Sequence, residues 1–482
     1  MNAILPTLNF KIVSPELFIL GMVCVVLLVD LFVSQRKRLL TYALTQLTLV
    51  GAAIIVICLY SEPNSVSFYG LFVHDKVASL LGIAIILSSI FVFMYSRDYI
   101  NQRNIPQGEF YMLGLFSILG MLVVVSGHNF LSLYLGLELM SLPIYAMVAL
   151  YRHSSRASEA AIKYFVLGAL SSGMLLFGLS FLYGATGSLD ISKVASVLSD
   201  TSHAQSIIFV LGLVFVVAGL AFKLGVVPFH MWIPDVYEGA PTAATLFLTV
   251  APKIAAFGLV IRLLVDTMPS LHGQWQQLLI LLSILSMVLG NVVAIAQTNI
   301  KRMLAYSTIA HGGYMLLGLC AATPEGYAAS MFYTLMYAVM SLGGFGMVIL
   351  LAKKDIDLES IDDLKGLSVR NPWLALMMLI ILFSMAGIPP TAGFFAKVGV
   401  LEALVDAHLV WLACIAIILA VIGAYYYLRV VKVMYFDKPQ NNEPLSLALD
   451  SRIAISLNGL ALLALGIVPS AVIQLAYTAF VV

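Results

Sequence analysis

Charge is scarce in this chain. Only 10% of its 482 residues are Asp, Glu, Lys or Arg, where a soluble domain carries about 25%. The formal net charge is +1, so nothing points to a basic nucleic-acid-binding face. Cysteine is nearly absent: Cys24, Cys58, Cys320 and Cys414 each stand alone in an apolar run, with no C-x-x-C and no neighbouring histidine. They read as small apolar residues rather than as a disulfide, zinc or iron–sulfur framework. No G-x-G-x-x-G opens a helix after a strand, and there is no G-x-x-x-x-G-K-[ST], no G-x-S-x-G and no histidine pair at metal-ligand spacing. The GGFG at 343–346 lies mid-span, where small residues let helices approach closely. No cofactor or metal site is therefore expected in this chain. It should neither oxidise a dinucleotide nor hydrolyse ATP by itself, and its driving force must come from an ion gradient or a partner.

What is abundant is hydrophobicity, at 61% of residues. A bilayer-spanning helix needs about 20 mostly apolar residues. Fourteen candidates fit, near 13–33, 39–60, 76–96, 110–126, 129–150, 159–184, 206–229, 241–265, 275–297, 303–322, 326–352, 373–401, 409–436 and 453–479. The prediction is an all-α membrane protein in which the polar stretches 185–205, 353–372 and 437–452 are loops and no soluble domain remains. The N-terminus lacks a basic region before its first apolar run, so that run reads as a retained helix rather than a cleaved signal.

Basic residues set the orientation. With the N-terminus outside, the inner loops hold Arg36, Lys37 and Arg38; Arg97 and Arg103; Arg152 and Arg156; Lys301 and Arg302; Lys353, Lys354, Lys365 and Arg370; and Arg429, Lys432, Lys438 and Arg452. Only Lys11, Lys76 and Lys193 fall on the other side. Both termini are expected outside.

Five basic residues fall inside spans: Lys163, Lys223, Lys253, Arg262 and Lys397. A lysine at the bilayer centre costs about 2.5–3.5 kcal/mol on insertion scales. Arg262 is near a span end and is expected to snorkel. The other four sit deeper, joined by Glu138 in LYLGLELMSLP. They could be ion pairs that hold helices together, but desolvation cancels much of such a pair's gain, and one glutamate cannot pair four lysines. Burial disfavours the charged form, so such lysines can take up and release protons, and a set of them at one depth suits a proton relay. His311, in AYSTIAHGGYMLLG, and His230 are candidate members, with hydrogen-bonded packing an equal reading for each. His74, His128, His153, His203, His272 and His408 receive no role.

Two spans carry helix breakers. Pro228 lacks an N–H, so the carbonyl of Leu224 loses its helical partner, and Pro234 and Pro241 follow. The stretch FSMAGIPPTAGFFAKVGV carries Gly387, Pro389, Pro390 and Gly393. Broken segments in matching positions of two halves point to a transport site, and freed carbonyls at membrane depth need protein or a wet cavity around them. Laying spans four to eight over nine to thirteen matches Glu138 with His311 and Lys223 with Lys397. Five spans is an odd number, so two consecutive units of this kind are inverted. The division is helices one to three (1–109), a first unit (110–268), a second, inverted unit (269–436) and a last helix (437–482), with helices seven and twelve discontinuous.

The segments FKLGVVPFHMWIPDVYEGAPT (222–242), EAAIKYFVLGALSSGMLLFGLSFLYGATGS (159–188) and QTNIKRMLAYSTIAHGGYMLLG (297–318) strongly resemble the subunit N family of bacterial proton-pumping NADH:quinone oxidoreductase, respiratory complex I. The similarity runs from span three to span thirteen. It implies an antiporter-like membrane-arm subunit, beside other antiporter-like subunits, that moves protons when quinone is reduced elsewhere. FMN, iron–sulfur clusters and quinone then belong to partner subunits. The family's helix-five glutamate matches Glu138, its helix-six lysine Lys163, its helix-seven lysine Lys223, its helix-eight lysine Lys253 and its helix-twelve ionisable residue Lys397. Lys397 favours subunit N over subunit M, which tends to carry glutamate there, and the chain stops too early for the lateral helix of subunit L. On this reading Lys223 passes its proton to Lys253, then through His311 to Lys397 and outside. Two other readings stay open: a subunit of a multisubunit Na+/H+ antiporter without redox partners, and a structural scaffold whose buried charges only lock helix packing.

Overall fold

A computed structural model describes residues 8–33, 38–199, 207–352, 358–439 and 448–480. Arg36, Lys37, Lys353, Lys354 and His203 lie outside the described residues.

Helices α1 (Ser14–Phe32) and α2 (Leu39–Leu59) come first. A small antiparallel hairpin follows, β1 (Ser65–Ser67) and β2 (Phe72–His74). Next come α3 (Lys76–Gln102), α4 (Gln107–Ser126), α5 (Phe130–Ala149), α6 (Ser155–Thr186), the short α7 (Ile191–Leu198), α8 (Ile207–Leu224), α9 (Trp232–Gly239) and α10 (Thr242–Val260), which runs on as a π turn over Ile261–Asp266. The chain continues through α11 (His272–Ala296), α12 (Ile300–Cys320), α13 (Pro324–Leu351), one-turn α14 (Leu367–Arg370), α15 (Pro372–Ala386), α16 (Ala392–Asp406), α17 (Val410–Phe436), α18 (Leu449–Ile467) and α19 (Ser470–Phe480).

The protein is a nearly all-helical, multi-pass membrane protein. Among the described residues, 12 helical segments are long and apolar enough to cross a membrane. The difference from fourteen has local causes. Span ten forms as α12, but Lys301, Arg302 and His311 dilute its hydropathy. Span twelve divides into α15 and α16, each too short to cross alone; the last span also divides, at Pro469, but α18 still qualifies. The loop expected over 185–205 contains α7, whose buried Ile191, Val194 and Leu198 share one face. It is an amphipathic helix too short to span. The stretch 353–372 likewise holds α14 and a single 3-10 turn, Ile361–Leu364.

The chain forms two compact units: residues 1–90, 106–224 and 251–278, and residues 91–105, 225–250 and 279–482. In the first, α4 packs on α5 and α6 on α8. Small residues permit the close approach: a Cβ on Gly120 would stand 2.3 Å from the Met140 nitrogen, and one on Gly178 would stand 2.8 Å from the Gly212 oxygen. In the second unit α13 is central, touching α12, α15, α16, α18 and α19.

Candidate functional site

The first break follows the loss of a backbone donor. Pro228 cannot donate to the Leu224 carbonyl, and α8 ends at Leu224 with Gly225 in the left-handed region, φ 76°. Glycine takes that conformation without a Cβ clash. The freed carbonyl finds a partner in Lys253 of α10. Its Nζ donates to Leu224 O at 2.7 Å and to Lys223 O at 3.2 Å. Lys253 is only 3% exposed, so its ammonium is set against the negative end of the α8 dipole.

The second break repeats the chemistry with different donors. Helix α15 ends at Ala386, and Gly387 takes φ 84°. Lys397 Nζ donates to Ala386 O at 2.8 Å and to Met385 O at 3.2 Å. A Cβ on Gly387 would stand 2.8 Å from Lys397 Cδ, so the glycine both ends the helix and makes room for the lysine. Lys223 lies before its break and Lys397 after its own. In capping chemistry Lys397 therefore matches Lys253.

Around the first break, Lys223 Nζ donates to Ser141 Oγ at 3.0 Å. Ser141 lies three residues after Glu138 on α5, so both face the same way. Glu138 shares that face, and its Oε1 is shielded without a hydrogen-bond partner among the described residues. Glu138, Ser141, Lys223 and Lys253 thus form one group in the first unit. Lys163 is placed differently. Its side chain is 42% exposed and pairs with Glu159, one turn earlier on α6, at 2.8 Å.

In the second unit His311 is buried between two tyrosines. Nδ1 lies 2.7 Å from Tyr333 Oη and Nε2 3.1 Å from Tyr427 Oη. Tyr427 Oη continues to Ser307 Oγ at 2.5 Å. Lys397 Nζ stands 5.2 Å from the centre of the Tyr314 ring, which stacks on Tyr333 with centroids 6.1 Å apart. This chain of hydroxyls and imidazole can pass protons. Half-buried His230 sits on the connection between α8 and α9, where its carbonyl accepts from Ile233 N at 2.9 Å.

Sequence reasoning missed Ser141, Tyr333, Tyr427 and Tyr314. Tyrosine away from the membrane interface, where it usually sits, is the available signal, since a buried Tyr hydroxyl seeks a partner. Arg262 corrects an expectation: it does not snorkel. It is 3% exposed and donates to Asp75 at 2.7 and 2.9 Å, to Asp266 at 2.9 Å and to Val125 O at 2.9 and 3.0 Å. The cause is two acids at its own level, so the charge is neutralised in place. Asp75, just outside α3, has its carboxyl held below the usual range. Burial pushes it up, and the charge and hydrogen bonds of Arg262 outweigh that. His128, in the turn after α4, is pushed down by burial and by Arg262.

Two interrupted helices, each ending on carbonyls capped by a lysine side chain, define a polytopic membrane protein of the transporter type. The sequence matches the family described as NADH:quinone oxidoreductase/Mrp antiporter, TM, over residues 127–423. It is 55% identical over 468 residues to NADH-quinone oxidoreductase subunit N of Thioalkalivibrio sulfidiphilus, covering 97% of this chain and 98% of that one. In structure it is similar to a chain of respiratory complex I from Thermus thermophilus, with 30% identity, a TM-score of 0.81 and coverage of 96% and 99%. A chain of the Mrp complex from Dietzia shares the fold at 19% identity and a TM-score of 0.87, with coverage of 98% and 97%. The chain belongs to the NADH:quinone oxidoreductase/Mrp antiporter family.

Proposed function

We propose that this chain is the proton-translocating, subunit N-type component of the membrane arm of an NADH:quinone oxidoreductase. The observation that carries the reading is the pair of lysine-capped breaks, in a chain 55% identical over nearly its whole length to a protein named subunit N of that enzyme. Electron transfer takes place in partner subunits, which hold the FMN, iron–sulfur clusters and quinone. This chain moves protons, in two inverted five-helix units with both termini on the periplasmic side of the inner membrane.

The relay works through exchange of partners. With Glu138 near, Lys223 is favoured as the ammonium, and Ser141 takes one of its protons in a hydrogen bond. When the carboxylate's influence is withdrawn, burial favours release. Lys253, whose ammonium rests on the Lys223 and Leu224 carbonyls, receives the proton through water. His311, held by Tyr333 and Tyr427, and Lys397 carry it onward. Lys163 and His230 tune the relay or join it from its margins.

Purification through a tag on this chain tests the reading against an antiporter without redox partners. The expected preparation contains flavin and iron–sulfur subunits and oxidises NADH with quinone. Recovery with antiporter subunits alone would overturn it.

A further inference from the structure

The outer end of the first unit holds a protonatable site that the relay does not use. A cavity of about 30 Å³ lies among α1, α2, β2, α3 and α4, and its polar lining is Glu16, His74, Ser79 and Ser126. That volume holds about two waters. Glu16 Oε2 is shielded from solvent and has no hydrogen-bond partner among the described residues. Oε1 lies 3.3 Å from Ser126 Oγ, a long contact. The single Ser126 hydroxyl proton has a shorter partner, Leu122 O at 2.7 Å. Ser126 Oγ is therefore better placed to accept a hydrogen bond than to give one, and a proton on Glu16 would supply it.

His74 lines the same cavity. Its Nε2 lies 3.1 Å from Leu59 O, and a carbonyl can only accept, so Nε2 donates and the ring is held in place. His74 is 7% exposed. The other charged groups nearby are committed. Arg262 is closed on Asp75, Asp266 and the Val125 carbonyl, and an arginine does not give up its proton. Lys11 pairs with Glu62 at the surface, at 2.7 Å. His128 bonds Ser192 through Nε2, at 2.9 Å, and does not line the cavity.

Placement completes the argument. The starts of α1 and α3 and the ends of α2 and α4 meet here, at the end of the bundle that the basic-residue asymmetry puts outside. Lys253 and Arg262 share one helical run nine residues apart, about 14 Å along the axis. Arg262 binds Val125 O, and Val125 lines the cavity.

We propose that Glu16, with Ser126 and His74, is a proton-release station that branches from the relay at Lys253, beside the exit through Lys397. A cavity water delivers a proton to the Glu16 carboxylate, which holds it against Ser126 Oγ and returns it to water on the outer side. This rests on the relay reading above.

The test uses the whole complex in intact vesicles and reads protons pumped per NADH oxidised, with Lys223→Ala as the reference. Glu16→Gln keeps the size and a donor toward Ser126 but cannot exchange a proton. Its ratio is expected to fall to a value between wild type and Lys223→Ala, with Glu16→Asp recovering part of the loss. Wild-type pumping by Glu16→Gln beside a defective Lys223→Ala overturns the station alone. Wild-type pumping by both overturns the relay with it. Should Glu16→Gln fail to assemble, Ala78→Val fills the cavity and leaves Glu16 in place. It is expected to lower the ratio equally, and wild-type pumping by Ala78→Val overturns the station.

Discussion

Lys253 has two separable duties, and substitution can pull them apart. Its Nζ caps Leu224 O and Lys223 O. Hydrogen bonds to charged groups contribute about 1.5–3 kcal/mol, and a buried acceptor left bare costs about 1–3 kcal/mol. A cation at a partly buried helix C-terminus is worth up to about 2 kcal/mol. These contributions overlap, so Lys253→Met is expected to weaken the closed break by about 2–3 kcal/mol, a factor of roughly 30–160 in its opening equilibrium. Amide hydrogen exchange over residues 225–231 reads that opening directly, and the purified complex should exchange faster there by about the same factor. Lys253→Arg keeps charge and donors but never releases its proton. It should hold exchange near wild type and still lose pumping. Unchanged exchange in Lys253→Met refutes the cap, and wild-type pumping by Lys253→Arg refutes proton release from this position.

Three further outcomes follow from the geometry. Gly387→Ala forces a side chain into φ 84° and places its Cβ against Lys397; it should cost about 1 kcal/mol or more and lower pumping beyond any loss of assembled complex, measured on the same vesicles. Tyr427→Phe strips one partner each from His311 and Ser307, with an expected destabilisation of about 1–3 kcal/mol in thermal unfolding and a reduced pumping ratio. Asp75→Asn leaves Arg262 with one carboxylate and should cost about 3 kcal/mol. Because the folded Asp75 carboxyl is held low, its contribution is complete above the ordinary carboxylate range and is lost as pH falls through the lowered value. Acid unfolding of Asp75→Asn should therefore flatten over that interval.

Much of the fold was legible because it follows from one-dimensional rules. Apolar runs of spanning length and the glycine and proline at the two breaks all act over a few residues. The loss of a donor to Leu224 O followed from Pro228 alone. That Lys253 would replace it did not, since no local rule reaches 29 residues along the chain. The His311 partners stand 22 and 116 residues away and were hidden for the same reason. Arg262 was misread because its distance to a span end was visible and its approach to Asp75, 187 residues off, was not. The short α7 had a readable face at Ile191, Val194 and Leu198, overlooked among polar neighbours.

The central claim is that the buried charges of this chain move protons rather than only lock helices. The most direct measurement is protons pumped per NADH oxidised by intact vesicles carrying Lys223→Ala, Lys253→Ala or Glu138→Ala, at equal amounts of assembled complex. The account predicts a fall in the ratio for each. Normal assembly with an undiminished ratio in all three would contradict it.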